Sequence, residues 1–231
     1  MTAQDTLDRL QELAVLVPED ALTSSLAQQA YYLLRDRIVT LALLPGALVN
    51  ERDLADELGI GRTPLRDAIR RLEDDGLVEV YPRRGVYVGA LDAGSLGEVS
   101  EVRVELEALA GRLAARRHTA EDEAVLVDLR ASLSDLPARP DQRTLIRLDQ
   151  QIHGGIYRAT HNVRLEATCD RYYMLALRLW FMALGRVQDL GHAVDEHHDL
   201  LGAILDRDEE TASERSRAHV LDFEQQIRAL L

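Results

Sequence analysis

Apolar positions divide the chain into three stretches with different rhythms. Over residues 1–25 the amphipathic run Leu7 to Leu16 stops at Val17-Pro18, where proline ends a helix, and the segment reads as a mobile arm. From Leu26 to Leu41 the apolar residues Ala30, Leu34, Ile38 and Leu41 recur at helical spacing until Pro45-Gly46 turns the chain. Two short helices follow, Glu51 to Leu58, ended by Gly59, and Thr63 to Asp74, whose first turn tolerates Pro64. The period then changes. Leu77-Val78-Glu79-Val80-Tyr81 and Val86-Tyr87-Val88 are β-branched stretches around Pro82-Arg83-Arg84-Gly85, the pattern of a hairpin. From Gly94 onward strand signals vanish, and apolar residues recur three and four apart with breaks near Thr119, Pro137 to Pro140, Asn162, Gly191 and Asp206. Six helices fit these breaks, and their short connections predict an antiparallel bundle of neighbours.

The expected fold is therefore mainly α, a winged helix-turn-helix over residues 26–90 followed by an all-helical domain over 95–231, with residues 1–25 as the arm. The boundary falls at Ala90 to Ser95, where Gly89, Gly94 and Ser95 cluster with one aspartate. With 46% hydrophobic and 29% charged residues, the chain lies in the globular range. The apolar stretch Tyr173 to Leu184 is interrupted by Arg178 and is shorter than the roughly 20 residues a bilayer requires, so no membrane segment is expected. A single cysteine, Cys169, cannot close an intramolecular disulfide, and acids near the start replace the basic residues of a secretory signal; a cytoplasmic location follows.

A net charge of −13 argues against nucleic-acid binding until it is resolved along the chain. Residues 26–90 hold nine arginines against ten acids and are close to neutral, whereas the helical region carries most of the negative excess. Helix, short turn, helix and hairpin is the order in which the second helix of the pair enters a major groove. On that helix Arg62, Arg66 and Arg70 share one face, and Leu65, Ile69 and Leu72 supply the opposite one. Arginine forks suit guanine edges and phosphates, although Arg beside Asp is also common on a solvated face. Arg52 opens the preceding helix, and Arg83 and Arg84 flank Gly85 at the wing tip, where a missing side chain permits close approach to the DNA backbone. The run from Pro45 through Glu51-Arg52-Asp53-Leu54-Ala55, Leu58-Gly59-Ile60-Gly61-Arg62-Thr63-Pro64-Leu65-Arg66 and Arg84-Gly85-Val86-Tyr87-Val88 closely resembles the DNA-binding domain of GntR-type bacterial transcription regulators. That resemblance implies operator contacts by Arg52, Arg62, Thr63, Arg66, Arg84 and Gly85. Two positions depart from it: Gly61 stands where Ser or Thr would cap the recognition helix, and Leu41 replaces a common glycine before the turn.

In the helical region Asp149 and His153 are four apart on one helix face, while His197 and His219 lie on two later helices. Imidazole nitrogens with a carboxylate oxygen suit zinc, nickel, manganese or iron. The other histidines, His118, His161, His192 and His198, read as structural, with His198 a substitute for its neighbour. The segments Glu101 to Glu107, Asp149 to His153, Asn162, Glu196-His197 and Asp208 to His219 resemble the FCD effector domain of the FadR subgroup, and six helices rather than seven suggest its VanR-like branch. The resemblance implies a divalent metal, zinc foremost, on Asp149, His153, His197 and His219, and an effector cavity faced by Arg103 and Asn162. For Arg103 an intrahelical pair with Glu107 is the competing reading. Gly154-Gly155 and Ile152 depart from the pattern and suggest altered room at the pocket wall.

These features point to a homodimeric transcription regulator, a repressor that leaves a near-palindromic double-stranded operator when a small carboxylate occupies a metal-containing pocket. A metal-dependent hydrolase using the Asp/His cluster is the alternative from another class. No Gly-x-Ser-x-Gly nucleophile motif supports it.

Overall fold

The computed structural model describes residues 24–91, 93–137, 141–183 and 191–230. The expected arm, apart from Ser24 and Ser25, lies outside them, as does Pro140. The chain divides between Leu91 and Asp92 into two compact units.

In the first unit, α1 (Leu26–Val39) begins at Ser25, whose Oγ accepts a hydrogen bond from the Gln28 N–H at 3.2 Å. The helix stops short of the length its apolar spacing predicts: Thr40 is the C-cap, and Leu41 adopts a left-handed φ of 61°. Leu41 is therefore the terminating residue that glycine ordinarily supplies, not a fourth core position of the helix. Asn50 caps α2 (Glu51–Leu58) by accepting from the N–H groups of Arg52 and Asp53, and Gly59 closes it at φ 64°. After the turn, α3 (Arg62–Asp74) starts at Gly61 with no side-chain cap and buries Leu65, Ala68, Ile69 and Leu72 against α1. Three strands follow the order β1-β3-β2, all antiparallel: β1 (Leu48–Val49), β2 (Val78–Tyr81) and β3 (Gly85–Val88). Register pairs Val80 with Val86 and Val49 with the same Val86 from the other side. The two-residue β1 has no periodic signal of its own. It is a winged helix-turn-helix.

The second unit holds α4 (Ala93–Arg117), α5 (Ala120–Ser134), α6 (Gln142–Ala159), α7 (Val163–Ala183), α8 (Gly191–Leu205) and α9 (Glu209–Arg228). Short polar residues start four of these. Thr119 and Asp122 form a reciprocal capping box on α5, Asp141 caps α6, Asp208 caps α9, and Asn162 Oδ1 accepts from the N–H groups of Arg164 and Leu165 at the head of α7. The long α4 is the spine, packed on α6, α7, α8 and most extensively α9. Gly111 permits that last approach: a Cβ there would lie 2.7 Å from the carbonyl oxygen of Ala212. Arg178, the charge inside the apolar run of α7, is only 1% exposed. Among the described residues no helix is long and apolar enough to cross a membrane.

Left-handed backbone costs a leucine about 1–2 kcal/mol, and glycine gives back about 0.5–1 kcal/mol through unfolded-state entropy. Leu41→Gly should accordingly stabilise the protein by about 0.5–1 kcal/mol. Urea titration at unchanged slope measures it, and an unmoved or lowered midpoint would mean that Leu41 makes apolar contacts worth more than the strain.

Candidate metal centre and nucleic-acid interface

On the winged unit the arginines of α3 sort into two groups. Arg71, though exposed, is tied back to α1, its guanidinium carbon 4.0 Å from the centroid of the Tyr31 ring and its Nη1 bonded to Gln28. Arg62, Thr63, Arg66 and Arg70 stand exposed on the opposite face. Arg66 Nε lies 3.4 Å from Glu51 Oε2, and Arg70 pairs with Asp67 at 3.6 Å, contacts that exposure keeps weak. Arg52 is exposed in the first turn of α2. At the wing Arg83 and Arg84 are exposed, Arg83 at φ 65°. Gly85 takes φ 108°, and a Cβ there would meet Leu48 at 3.0 Å, so the hairpin itself demands this glycine.

In the helical unit Asp149 and His153 from α6, His197 from α8 and His219 from α9 each bring a ligand atom within 4.8 Å of the others, all four side chains buried. His153 Nε2 and His197 Nε2 are 3.3 Å apart, and Asp149 Oδ1 lies 3.9 Å from the first and 3.7 Å from the second. Donors bound at about 2.1 Å to one ion stand roughly 3–4 Å apart. The outer nitrogens decide what the inner ones offer. His219 Nδ1 is 3.0 Å from Glu196 Oε2, and His153 Nδ1 is 3.2 Å from the Tyr157 hydroxyl oxygen, whose own proton goes to Glu107 Oε1 at 2.5 Å. Both rings thus carry the proton outside and turn a lone pair inward. His197 Nδ1 is buried with no partner among the described residues. Converging lone pairs with a carboxylate oxygen fit a divalent cation.

Arg103, 3% exposed on α4, bonds Glu107 Oε1 through Nε at 3.2 Å, which establishes the intrahelical pair. Its terminal nitrogens bond no other described residue. Tyr173 and Phe223 place their ring centroids 5.6 and 5.4 Å from its guanidinium carbon. Burial opposes ionisation of Glu107, but His153, Arg103 and the Tyr157 hydroxyl outweigh it and hold the carboxyl well below the usual range. Burial likewise opposes the charge on Asp149, and the three imidazoles outweigh it. Burial, then the like charge of His219, lowers His197 to about 3; burial, then His153, lowers His219 to about 4.

Several expectations meet a different arrangement. Asn162, expected at the effector cavity, spends its amide oxygen on capping α7. Gly155 faces α5, where a Cβ would touch Leu129 at 3.0 Å, so it allows close helix packing, whereas Gly154 lies beside the Arg158 guanidinium of its own helix. Ile152 is fully buried. Of the histidines read as structural, His118 bonds the Ala114 carbonyl, His161 bonds Asp122, His198 sits by Asp199, and the side chain of His192 lies outside the described residues. The sequence reading missed Tyr157, Tyr173 and Glu196 as partners of the ligand set. Tyr157 had a signal, four residues after His153; Tyr173 and Glu196 reach their partners across helices and had none.

The lowered histidines set a pH dependence for metal-free protein. Between about 4 and 6.5 the unfolded chain takes up protons at positions 197 and 219 that the folded chain refuses, so stability is full above 6.5 and lost as pH falls through that window. His219→Gln should flatten the fall in urea midpoint between pH 7 and 5; an unchanged slope would place the acid sensitivity elsewhere. The same shifts keep both rings neutral near pH 6, where the ordinary histidine range would predict that metal uptake weakens.

Comparison with known proteins bears on both units. Residues 26–88 match the model described as bacterial regulatory proteins, gntR family, and residues 98–222 match the FCD domain. An HTH-type transcriptional regulator of Streptomyces ambofaciens is 30% identical over 212 residues, covering 86% of this chain and 85% of the relative. The HTH-type transcriptional repressor RspR of Escherichia coli (strain K12) is 23% identical, with 90% and 91% covered. The solved structure of E. coli McbR/YncC superposes with a TM-score of 0.74 at 25% identity, covering 88% of this chain and 95% of that one. These relatives are regulators, and the hydrolase alternative has no support among them. With its winged helix-turn-helix joined to an FCD domain, the chain belongs to the GntR family of bacterial regulatory proteins and is a DNA-binding transcription regulator.

Proposed function

We propose that this regulator is a homodimeric cytoplasmic repressor, released from a near-palindromic operator when a small carboxylate binds beside a divalent metal, zinc foremost, on Asp149, His153, His197 and His219. The observation that carries this reading is the guanidinium of Arg103: it is buried beside the ligand set and, apart from ring contacts with Tyr173 and Phe223, engaged through Nε alone, so its terminal fork has no described hydrogen-bond partner. A carboxylate is the group that fork accepts best. A metal preferring about six donors would supply roughly two further positions for its oxygens. The six described helices support the VanR-like branch, and repression accords with the name of RspR. On the DNA side Arg62, Thr63 and Arg66 read the groove, Arg52 and Arg84 hold phosphate, and Gly85 shapes the wing.

Coupling rests on chain continuity. Arg103 and Glu107 sit on α4, which starts at Ala93, two residues after the winged unit ends. A ligand that draws Arg103 toward the metal shifts α4, and with it the spacing of recognition helices in a dimer, which groove periodicity penalises. Coupling of this kind is about 1–3 kcal/mol, or roughly 5- to 150-fold in operator affinity.

Arg66→Ala should cost about 1–3 kcal/mol against the operator and less against random duplex; equal losses would assign Arg66 to phosphate. The effector arm is tested by a thermal-shift screen of organic acids, followed by Arg103→Lys. Lysine keeps a charge for the buried Glu107 but lacks the bidentate fork, whereas alanine would strand that carboxylate. The acid found should bind the lysine variant more weakly and release operator less. Wild-type release in that variant would end the role of Arg103, and undiminished operator affinity with wild-type protein and saturating acid would end the repressor model.

A further inference from the structure

The two oxygens of Asp149 have different surroundings. Oδ1 faces the imidazoles, 3.7 Å from His197 Nε2 and 3.9 Å from His153 Nε2. Oδ2 accepts a hydrogen bond of 2.6 Å from the hydroxyl of Tyr173. Tyr173 comes from α7, which supplies none of the four ligands. It is 3% exposed, and its ring lies 4.8 Å from that of His153 by centroids and 5.6 Å from the guanidinium carbon of Arg103. A phenol held this way has one proton to give, and it gives it to Oδ2 and not to the oxygen nearest His153 and His197. Charge-assisted O–H···O⁻ bonds of this length are among the strong ones.

A carboxylate without such a partner is free to turn both oxygens onto a divalent ion and so consume one more coordination position. We propose that the Tyr173 hydroxyl is a positioning group that restricts Asp149 to one-oxygen coordination and thereby keeps open the position an incoming carboxylate occupies. The proposal rests on the metal reading given above and adds the residue that sets how much of the metal is available. It also explains why one tyrosine touches both an expected metal ligand and the cation expected to meet the effector: loss of the hydroxyl alters the first and leaves the Arg103 fork in place.

Manganese(II) is the probe, with oxalate as a chelating acid, and the full-length protein is compared with Tyr173→Phe, which removes the oxygen and keeps the ring. Water-proton relaxation should report about one fewer inner-sphere water on the variant's manganese, and oxalate should bind the loaded variant at least about tenfold more weakly. Unchanged water count and unchanged oxalate affinity in a variant with wild-type thermal midpoint would overturn the proposal. A second measurement needs no variant: the infrared difference spectrum of wild-type protein on metal loading should show the wide carboxylate splitting of one-oxygen coordination, and the narrow splitting of a chelating carboxylate would overturn it. If wild-type protein binds neither manganese, nickel nor zinc, the metal reading itself falls, an outcome distinct from binding with a two-oxygen Asp149.

Discussion

Burying Asp149, Glu107 and three imidazoles at one point of the helical unit costs hydration that apolar packing cannot return, and the surroundings are arranged to answer that cost. Arg103 faces Glu107, Tyr157 and Tyr173 donate to the two carboxylates, and Glu196 takes the outer proton of His219. Every helix of the unit except α5 supplies a group to this network; α5 lies against α6, close to Gly155. What remains unanswered is inward: lone pairs of His153 and His219 converge with Asp149 Oδ1 and with a His197 whose outer nitrogen has no described partner. That convergence fits a divalent cation, and the acid sensitivity expected of the metal-free protein is its physical counterpart.

The winged unit uses charge in the opposite way. Some of its arginines lie on aromatic rings, as Arg71 and Arg35 do on Tyr31 and Tyr32, Arg37 is forked onto Glu57, and the others stand in solvent on one face of α3, at the head of α2 and at the wing tip. Of the exposed ones, Arg66 and Arg70 are paired loosely with Glu51 and Asp67, partners that a phosphate or base edge can displace at little cost. A chain with a net charge of −13 can present a cationic reading face because its net negative excess lies outside the winged unit, where nine arginines nearly balance ten acids and several of the arginines share one face of α3.

Backbone exceptions mark where local rules yield to geometry. Gly85 and Gly59 take left-handed conformations where turns require them, whereas Leu41 takes one without being glycine. Gly111 and Gly155 are helical glycines, poor in propensity and retained where a side chain would push α9 or α5 away.

Periodicity alone was enough for the element order, since the switch from period two to period three-to-four separates wing from bundle, and capping residues such as Thr119, Asp141 and Asp208 mark helix starts locally. The i, i+4 pairing of Asp149 with His153 was equally legible, because one helix suffices to align them. Resemblance to known families added His197 and His219, which spacing left as two histidines on separate helices. β1 was invisible because its two residues become a strand only through pairing with β3. The end of α1 was misjudged because apolar spacing does not register the left-handed turn at Leu41. Tyr173, Glu196 and the true neighbours of Gly155 were decided by tertiary structure, since each meets its partner across helices far apart in sequence, where no local rule of propensity or spacing reaches.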